Sequence, residues 1–248
     1  MATIPTPVPD AQPPINHAGR LIGALVSPKQ TFEDVVRRPS WVAPIVLMTI
    51  LGLVVSYALN QRMDWGSYIR QQTEKSPRFA QLSEEQKQQT LGTQVKYAPV
   101  FSYVIGGLSS ALSALFLAMV YWGAFSLLAG TNPGFGKSFG ITSHALLPSV
   151  IATVLAVVTI FLKRSGDVDP EHLVASNAGA LLSTDAPRWQ MSLASSLDIF
   201  WIWVMLLLAM GFSATNPKKV SFGKAIGIVL SLWIVWVIMK VGWAAIWS

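Results

Sequence analysis

The charged residues are spaced so that they leave five long stretches of the chain almost free of charge. Residues 39–61 lie between Arg38 and Arg62, with an apolar centre from Trp41 to Leu59. Residues 97–136 hold no charge, and residues 138–162 are bounded by Lys137 and Lys163. Residues 199–217 separate Asp198 from Lys218, and residues 225–247 are apolar except for Lys240. A bilayer-crossing helix needs roughly 20 apolar residues, range about 17–25. The pattern therefore predicts an all-α, polytopic membrane helix bundle. Its five transmembrane helices fall near 42–60, 98–129, 141–162, 198–214 and 224–246. At about 1.5 Å per residue, the second outruns a hydrocarbon core ~30 Å thick and must tilt or protrude.

The polar segments divide the rest. The first 16 residues carry no Lys or Arg and contain Pro5, Pro7, Pro9, Pro13 and Pro14, so residues 1–17 read as a disordered Pro-rich tail ahead of one membrane domain, 18–248. Ser27-Pro28 has the form of a helix start. Phe32, Val35 and Val36 then share one face, which predicts a short interfacial helix lying along the membrane or a small soluble cap. Ser83-Glu84-Glu85-Gln86 has capping-box spacing and predicts a helix that runs on towards the second span. Residues 163–197 read as a loop with a short helix at most.

Composition strengthens the membrane reading. Of 248 residues, 52% are hydrophobic and 12% charged, against about 25% charged in soluble domains. The lipid bilayer is the expected partner. The net charge of +6 does not make a nucleic-acid binder, because the 18 Lys and Arg are spread thinly. There is no cysteine, which excludes disulfides, thiolate metal sites and Cys nucleophiles. His17, His144 and His172 have no ligand spacing, so neither a metal nor any other cofactor is expected. No cleavable signal peptide is visible.

With the N-terminus inside, Arg20, Lys29, Arg37, Arg38, Lys137, Lys218, Lys219 and Lys224 all fall in short cytoplasmic segments. The outer loops hold nine basic residues beside nine acids over longer segments. Basic density next to the membrane favours a plasma (inner) membrane protein, N-terminus cytoplasmic and C-terminus outside.

The stretch AGTNPGFGKSFG (residues 129–140) contains Gly136-Lys137-Ser138. A phosphate-binding loop requires Gly, four residues, then Gly-Lys-Ser/Thr, following a strand. Thr131 occupies the place of the first glycine, and the preceding segment is an apolar span. The loop instead has an echo: Thr131-Asn132-Pro133 returns as Thr215-Asn216-Pro217, and Ser138-Phe139-Gly140 as Ser221-Phe222-Gly223. Each copy joins two apolar helices. The expected structure is a tight cytoplasmic turn in which Asn132-Pro133 or Asn216-Pro217 stops one helix and the serine caps the next. Lys137, Lys218 and Lys219 then mark the cytoplasmic face.

In this order, SPKQTFEDVVRRPSWVAP, GKSFGITSHALLPS, SLDIFWIWVMLLLAMGFS and KKVSFGKAIGIVLSLWIVWVIMKVGWAAI resemble the Yip-type (Ypt/Rab-interacting protein) membrane domain, particularly its bacterial branch. The resemblance covers roughly residues 18–247. It implies five spans, a cytoplasmic N-terminus and an outside or lumenal C-terminus. Eukaryotic members are associated with vesicle traffic and small GTPases. The Gln-rich outer segment and Pro-rich tail resemble bacterial members, to which GTPase binding does not transfer.

Asp198 and Lys240 are the notable ionisable residues, each 21 residues from the turn centre near 219. In an antiparallel hairpin they fall opposite one another. Two readings follow: an ion pair that avoids about 3 kcal/mol for an unpaired charge in lipid, or two interface markers, Lys240 snorkelling among Trp236, Trp243 and Trp247. His144 reads as a hydrogen-bonded packing residue. Gly106, Ser110, Ala114 and Ala118 recur every fourth residue, a stripe that permits close helix contact within the bundle or between protomers. The function expected is a non-enzymatic multi-pass membrane protein that organises membrane or recruits protein partners, with homo-oligomers as one form. The alternative is a small-solute transporter or channel. A membrane hydrolase lacks both a zinc motif and a nucleophile elbow.

Overall fold

A computed structural model describes residues 13–74, 76–166, 168–170, 173–183 and 186–246. Most of the Pro-rich tail, His172 and Trp247 lie outside the described residues. Residues 13–16 are coil, and helix begins at His17. Eleven α-helices follow: α1 (His17–Val26), α2 (Pro28–Arg37), α3 (Val42–Arg62), α4 (Trp65–Glu74), α5 (Pro77–Ala80), α6 (Glu84–Leu128), α7 (Phe135–Ala145), α8 (Pro148–Leu162), α9 (Arg188–Ala194), α10 (Ile199–Thr215) and α11 (Phe222–Ile246). One 3-10 turn spans Ala178–Leu181.

The long helices coincide with the apolar stretches. Among the described residues four paths are long and apolar enough to cross a membrane: α3, α6, the run Phe135–Leu162 through α7 and α8, and α11. The fourth stretch in chain order, α10, is a shorter apolar helix of 17 residues. The capping box starts α6, where Gln86 N donates to Ser83 Oγ and Ser83 N to Gln86 Oε1. The helix then continues for 45 residues without a break, through Pro99. At about 1.5 Å per residue it is ~68 Å long, more than twice a hydrocarbon core ~30 Å thick, so part of it must lie outside a bilayer that it crosses upright.

Helices α3 and α6 cross where neither has a side chain. A Cβ on Gly52 would lie 2.1 Å from the Gly106 carbonyl oxygen, and one on Gly106 would lie 2.2 Å from Ser56 Oγ. Polar groups stitch the crossing: Ser56 Oγ donates to the Ser102 carbonyl at 2.7 Å, and Asn60 Nδ2 donates to Ser102 Oγ at 2.8 Å. Ala114 and Ala118 continue the small-residue stripe into the interior, both fully buried.

The third apolar stretch is two helices, not one. Pro148 lacks an N–H, so it cannot donate the hydrogen bond that would continue α7 into α8. The chain bridges the gap with tight turns, Leu147 N to the His144 carbonyl and Val150 N to the Leu147 carbonyl. Pro148 then takes the first position of α8.

The main core lies at one end of the bundle. Phe125 and Phe212 stack with centroids 4.3 Å apart, and Tyr121 packs beside Phe212. Phe32, Val35, Ile141 and Leu208 complete this core, all essentially inaccessible. A smaller cluster of Ala58, Ile160 and Val168 occupies the opposite end. Phe32, Val35 and Val36 are buried, and that face of α2 packs into the protein, against α10 and α7. Gly211 makes room for it, since a Cβ there would meet Ile141 Cγ2 at 2.4 Å and the Phe32 ring at 2.9 Å.

Candidate functional site

Helices α1 and α2 form a hairpin that closes one end of the bundle. Asn16 caps α1 by accepting from Gly19 N at 2.6 Å. The hairpin is tight because Gly23 faces Thr31, where a Cβ would fall 2.4 Å from Thr31 Oγ1. At its centre Arg20 and Asp34 are both buried, at 4% and 2% exposure. Arg20 Nε and Nη2 converge on Asp34 Oδ2 at 2.8 and 2.7 Å. Arg20 Nη1 donates to the Arg38 carbonyl at 2.9 Å and to Ser40 Oγ at 2.7 Å. One guanidinium thus ties α1 to α2 and to the entrance of α3. Burying a lone charge would be prohibitive, but here every arm of the fork is occupied. Outward, α1 presents Ile22 and Val26, 64% and 72% exposed.

The two repeated turns lie at this same end. In the first, Asn132 Oδ1 accepts from Gly134 N and from Trp122 Nε1. Gly134 takes φ 77°, a conformation that favours glycine, and stands immediately before α7. Pro133 is buried and Lys137 exposed. In the second, Lys219 N donates to the Asn216 carbonyl at 3.1 Å, and Pro217, Lys218 and Lys219 are exposed. The expected serine caps divide. Ser221 Oγ accepts from Lys224 N at 3.2 Å and caps α11, whereas Ser138 lies inside α7 and donates to the Gly134 carbonyl. The first helix starts three residues before its serine, at Phe135, which leaves Ser138 no terminus to cap.

Two of the basic residues have structural tasks that composition did not reveal. Lys224 Nζ donates to the Ala129 carbonyl at 3.2 Å, at the C-terminus of α6. Arg62 Nη2 donates to the carbonyls of Phe161 and Lys163, at the C-terminus of α8. Both neutralise the negative end of a helix.

At the opposite end Asp198 and Lys240 are not joined. Asp198 caps α10, with Oδ1 accepting from Phe200 N at 2.9 Å and Trp201 N at 3.1 Å. Its Oδ2 accepts from Ser176 Oγ. Ile199 N donates to the Ser176 carbonyl, so the carboxylate pins the loop before α9 to the head of α10. Lys240 Nζ instead donates to Ser195 Oγ at 3.0 Å and Ser196 Oγ at 3.2 Å, just past α9. His144 is buried, and its Nδ1 lies 2.8 Å from the Gly140 carbonyl. A carbonyl only accepts, so that nitrogen carries the proton.

Among the described residues no group of three or more His, Asp or Glu is placed to hold a metal ion. The Arg20–Asp34 pair is the feature that sequence reasoning missed. Arg20 and Asp34 are 14 residues apart, and the only signal was two acids, Glu33 and Asp34, within a basic segment.

Comparison with known proteins gives one family. The model of the Yip1 domain matches residues 22–244. The chain is 26% identical over 211 residues to the membrane protein YknW of Bacillus subtilis (strain 168), covering 85% of this chain and 84% of that protein. No solved structure gives a significant match. With a family match that runs from α1 to the last turns of α11, this chain is a membrane protein of the Yip1 domain family.

Proposed function

We propose that the protein is a non-enzymatic, five-span inner-membrane protein that recruits partners to the membrane or organises it, alone or as a homo-oligomer. In this reading residues 18–248 form one membrane domain, the N-terminus and both repeated turns are cytoplasmic, and the C-terminus is outside. The observation that carries it is the α1–α2 cap, held by the buried Arg20–Asp34 pair and presenting Ile22 and Val26 outward. A cap fixed to the bundle keeps an apolar stripe at the membrane edge in a constant orientation, which suits recruitment. The fifth crossing is α10, about 25 Å long at 1.5 Å per residue, close to the core thickness of ~30 Å.

Because the chain lacks cysteine, Gln88→Cys, Lys137→Cys and Lys218→Cys report topology directly. A membrane-impermeant maleimide should label position 88 in intact cells, and 137 and 218 only after permeabilisation. The reverse pattern would overturn the orientation. Crosslinking in native membranes from Ile22 and Val26 should then capture a discrete protein, or a second copy of the chain.

One observation favours the transporter reading. The break between α7 and α8 falls within an apolar run of crossing length, and discontinuous helices are common where transporters bind substrate. Saturable solute flux in liposomes would establish that reading and displace recruitment.

A further inference from the structure

A groove of about 690 Å³ opens between α3, α6 and α8 at the end of the bundle away from the cap. Its volume falls in the range of small-molecule sites, about 300–1,000 Å³. Gly52 and Ser56 of α3 form the floor, Ile105 and Ser109 of α6 one wall, and Thr153 of α8 the other. Trp65 and Ile69 of α4 close the top. From this structure we infer that the groove holds one acyl chain of a bilayer phospholipid.

Three observations converge on that occupant. The first is place and length. On α3 the lining runs from Met48 to Leu59, about 17 Å along the helix, against about 15 Å for the hydrocarbon of one leaflet. The groove starts beneath α4, immediately after the end of α3, and descends along three apolar helices. Bilayer lipid is what surrounds those helices at that depth.

The second is charge. Among the described residues no Lys, Arg, His, Asp or Glu lines the groove. A metabolite bearing a carboxylate or phosphate along its length would meet nothing there to neutralise it.

The third is the state of the hydroxyls. Ser56 and Ser102 donate to the carbonyls of Ser102 and Pro99, and Ser149 and Thr153 donate to those of Leu146 and Ser149. These four hydroxyls spend their protons on the protein's own backbone and demand no hydrogen bond from a guest. A hydrocarbon chain fits the stretch of wall that they make. Trp65, at the α4 end of the groove, donates Nε1 to Asn60 Oδ1 at 2.8 Å, and in this reading its ring lies where tryptophans meet headgroups.

The test uses the full chain in vesicles containing a phospholipid with a photoactivatable group midway along one acyl chain. Adducts are mapped by mass spectrometry. Labelling should concentrate on Gly52–Ser56, Ile105–Ser110 and Ser149–Thr153, at least five-fold above the lipid-exposed face of α11 around Ile238. Ser109→Trp fills the groove without entering the Gly52–Gly106 crossing, and Ile105→Trp does the same from another position. Each should cut the groove adducts several-fold while leaving the α11 adducts unchanged, which also reports that the bundle is folded. Zwitterionic and anionic headgroups should label equally. Uniform labelling around the bundle, groove adducts that survive both variants, a preference for one headgroup charge, or chain-to-chain crosslinks from Ser109→Cys would each overturn the assignment. Topology labelling is indifferent to all of these results, so failure here leaves the orientation proposal standing.

Discussion

Removing Asp34 should loosen the N-terminal cap by about two orders of magnitude while leaving the spanning helices in place. Arg20 and Asp34 are both buried, and breaking a buried pair by deleting one partner costs about 3–5 kcal/mol. In Asp34→Ala the guanidinium keeps the Arg38 carbonyl and Ser40 Oγ, so the lower end, about 3 kcal/mol, applies. At about 1.4 kcal/mol per decade, that raises the open population by on the order of 10². The cap will not detach outright, because Phe32 and Val35 still contribute roughly 1.5–3 kcal/mol each by burial. Ala24→Cys supplies the assay, since Ala24 is fully buried on α1 and a thiol there reacts only when the cap opens. Its labelling rate should rise about 10²-fold in Asp34→Ala. Replacing both partners, Arg20→Met with Asp34→Leu, leaves no stranded charge and should return the rate to within about ten-fold of the parent. If Asp34→Ala labels at the parent rate, the pair does not hold the cap. If the double variant opens as fast as the single, the cost is not one of stranded charge, and the reasoning fails.

Other expectations follow from the same geometry. Gly52→Ala should destabilise the detergent-solubilised protein by about 1–3 kcal/mol, because its Cβ would collide with backbone at 2.1 Å. Gly107→Ala, whose Cβ would meet only Leu53 Cδ2 at 3.5 Å, should be neutral or slightly stabilising in the same thermal melt. Asp198→Ala should cost about 1 kcal/mol through loss of the α10 cap. Its effect should add to that of Lys240→Ala within about 0.5 kcal/mol, and recovery in the double variant would show that the two side chains do pair. The Asp64 carboxyl is held below the usual aspartate range, chiefly by the Ser67 hydroxyl and then by the Ser67 amide. Asp64 Oδ1 accepts from Gly66 N and Ser67 N at the start of α4; because its folded value is lowered, this contribution is present above the ordinary value of 3.8 and fades as pH falls below it. Protection factors of the α4 amides, taken against the intrinsic exchange rate at each pH, should therefore fall on acidification below that point, and Asp64→Asn should flatten the dependence.

The positions of the helices in the apolar stretches were legible without coordinates, because a helix in lipid must satisfy its own backbone and must be apolar over a set length. The two echoing turns and the capping box were equally local, since three or four residues contain all the chemistry involved. Even the break at Pro148 had its signal in the chain, masked by a hydropathy that runs on unchanged through Leu146 and Leu147. Tertiary structure alone decided the rest. The apolar face of α2 serves lipid and protein interior equally well by pattern, and only the hollow at Gly211 shows that it docks inside. The register of the final hairpin placed Asp198 opposite Lys240, yet each was claimed by a nearer serine, from residues 176 and 195–196, in a loop whose path no periodicity encodes. Arg20 looked like one more cytoplasmic positive charge until burial made Asp34 its necessary partner. Local hydropathy determines which segments enter the membrane. Which side chains meet there depends on helix rotation and depth, and these are set by close contacts between residues far apart in the chain.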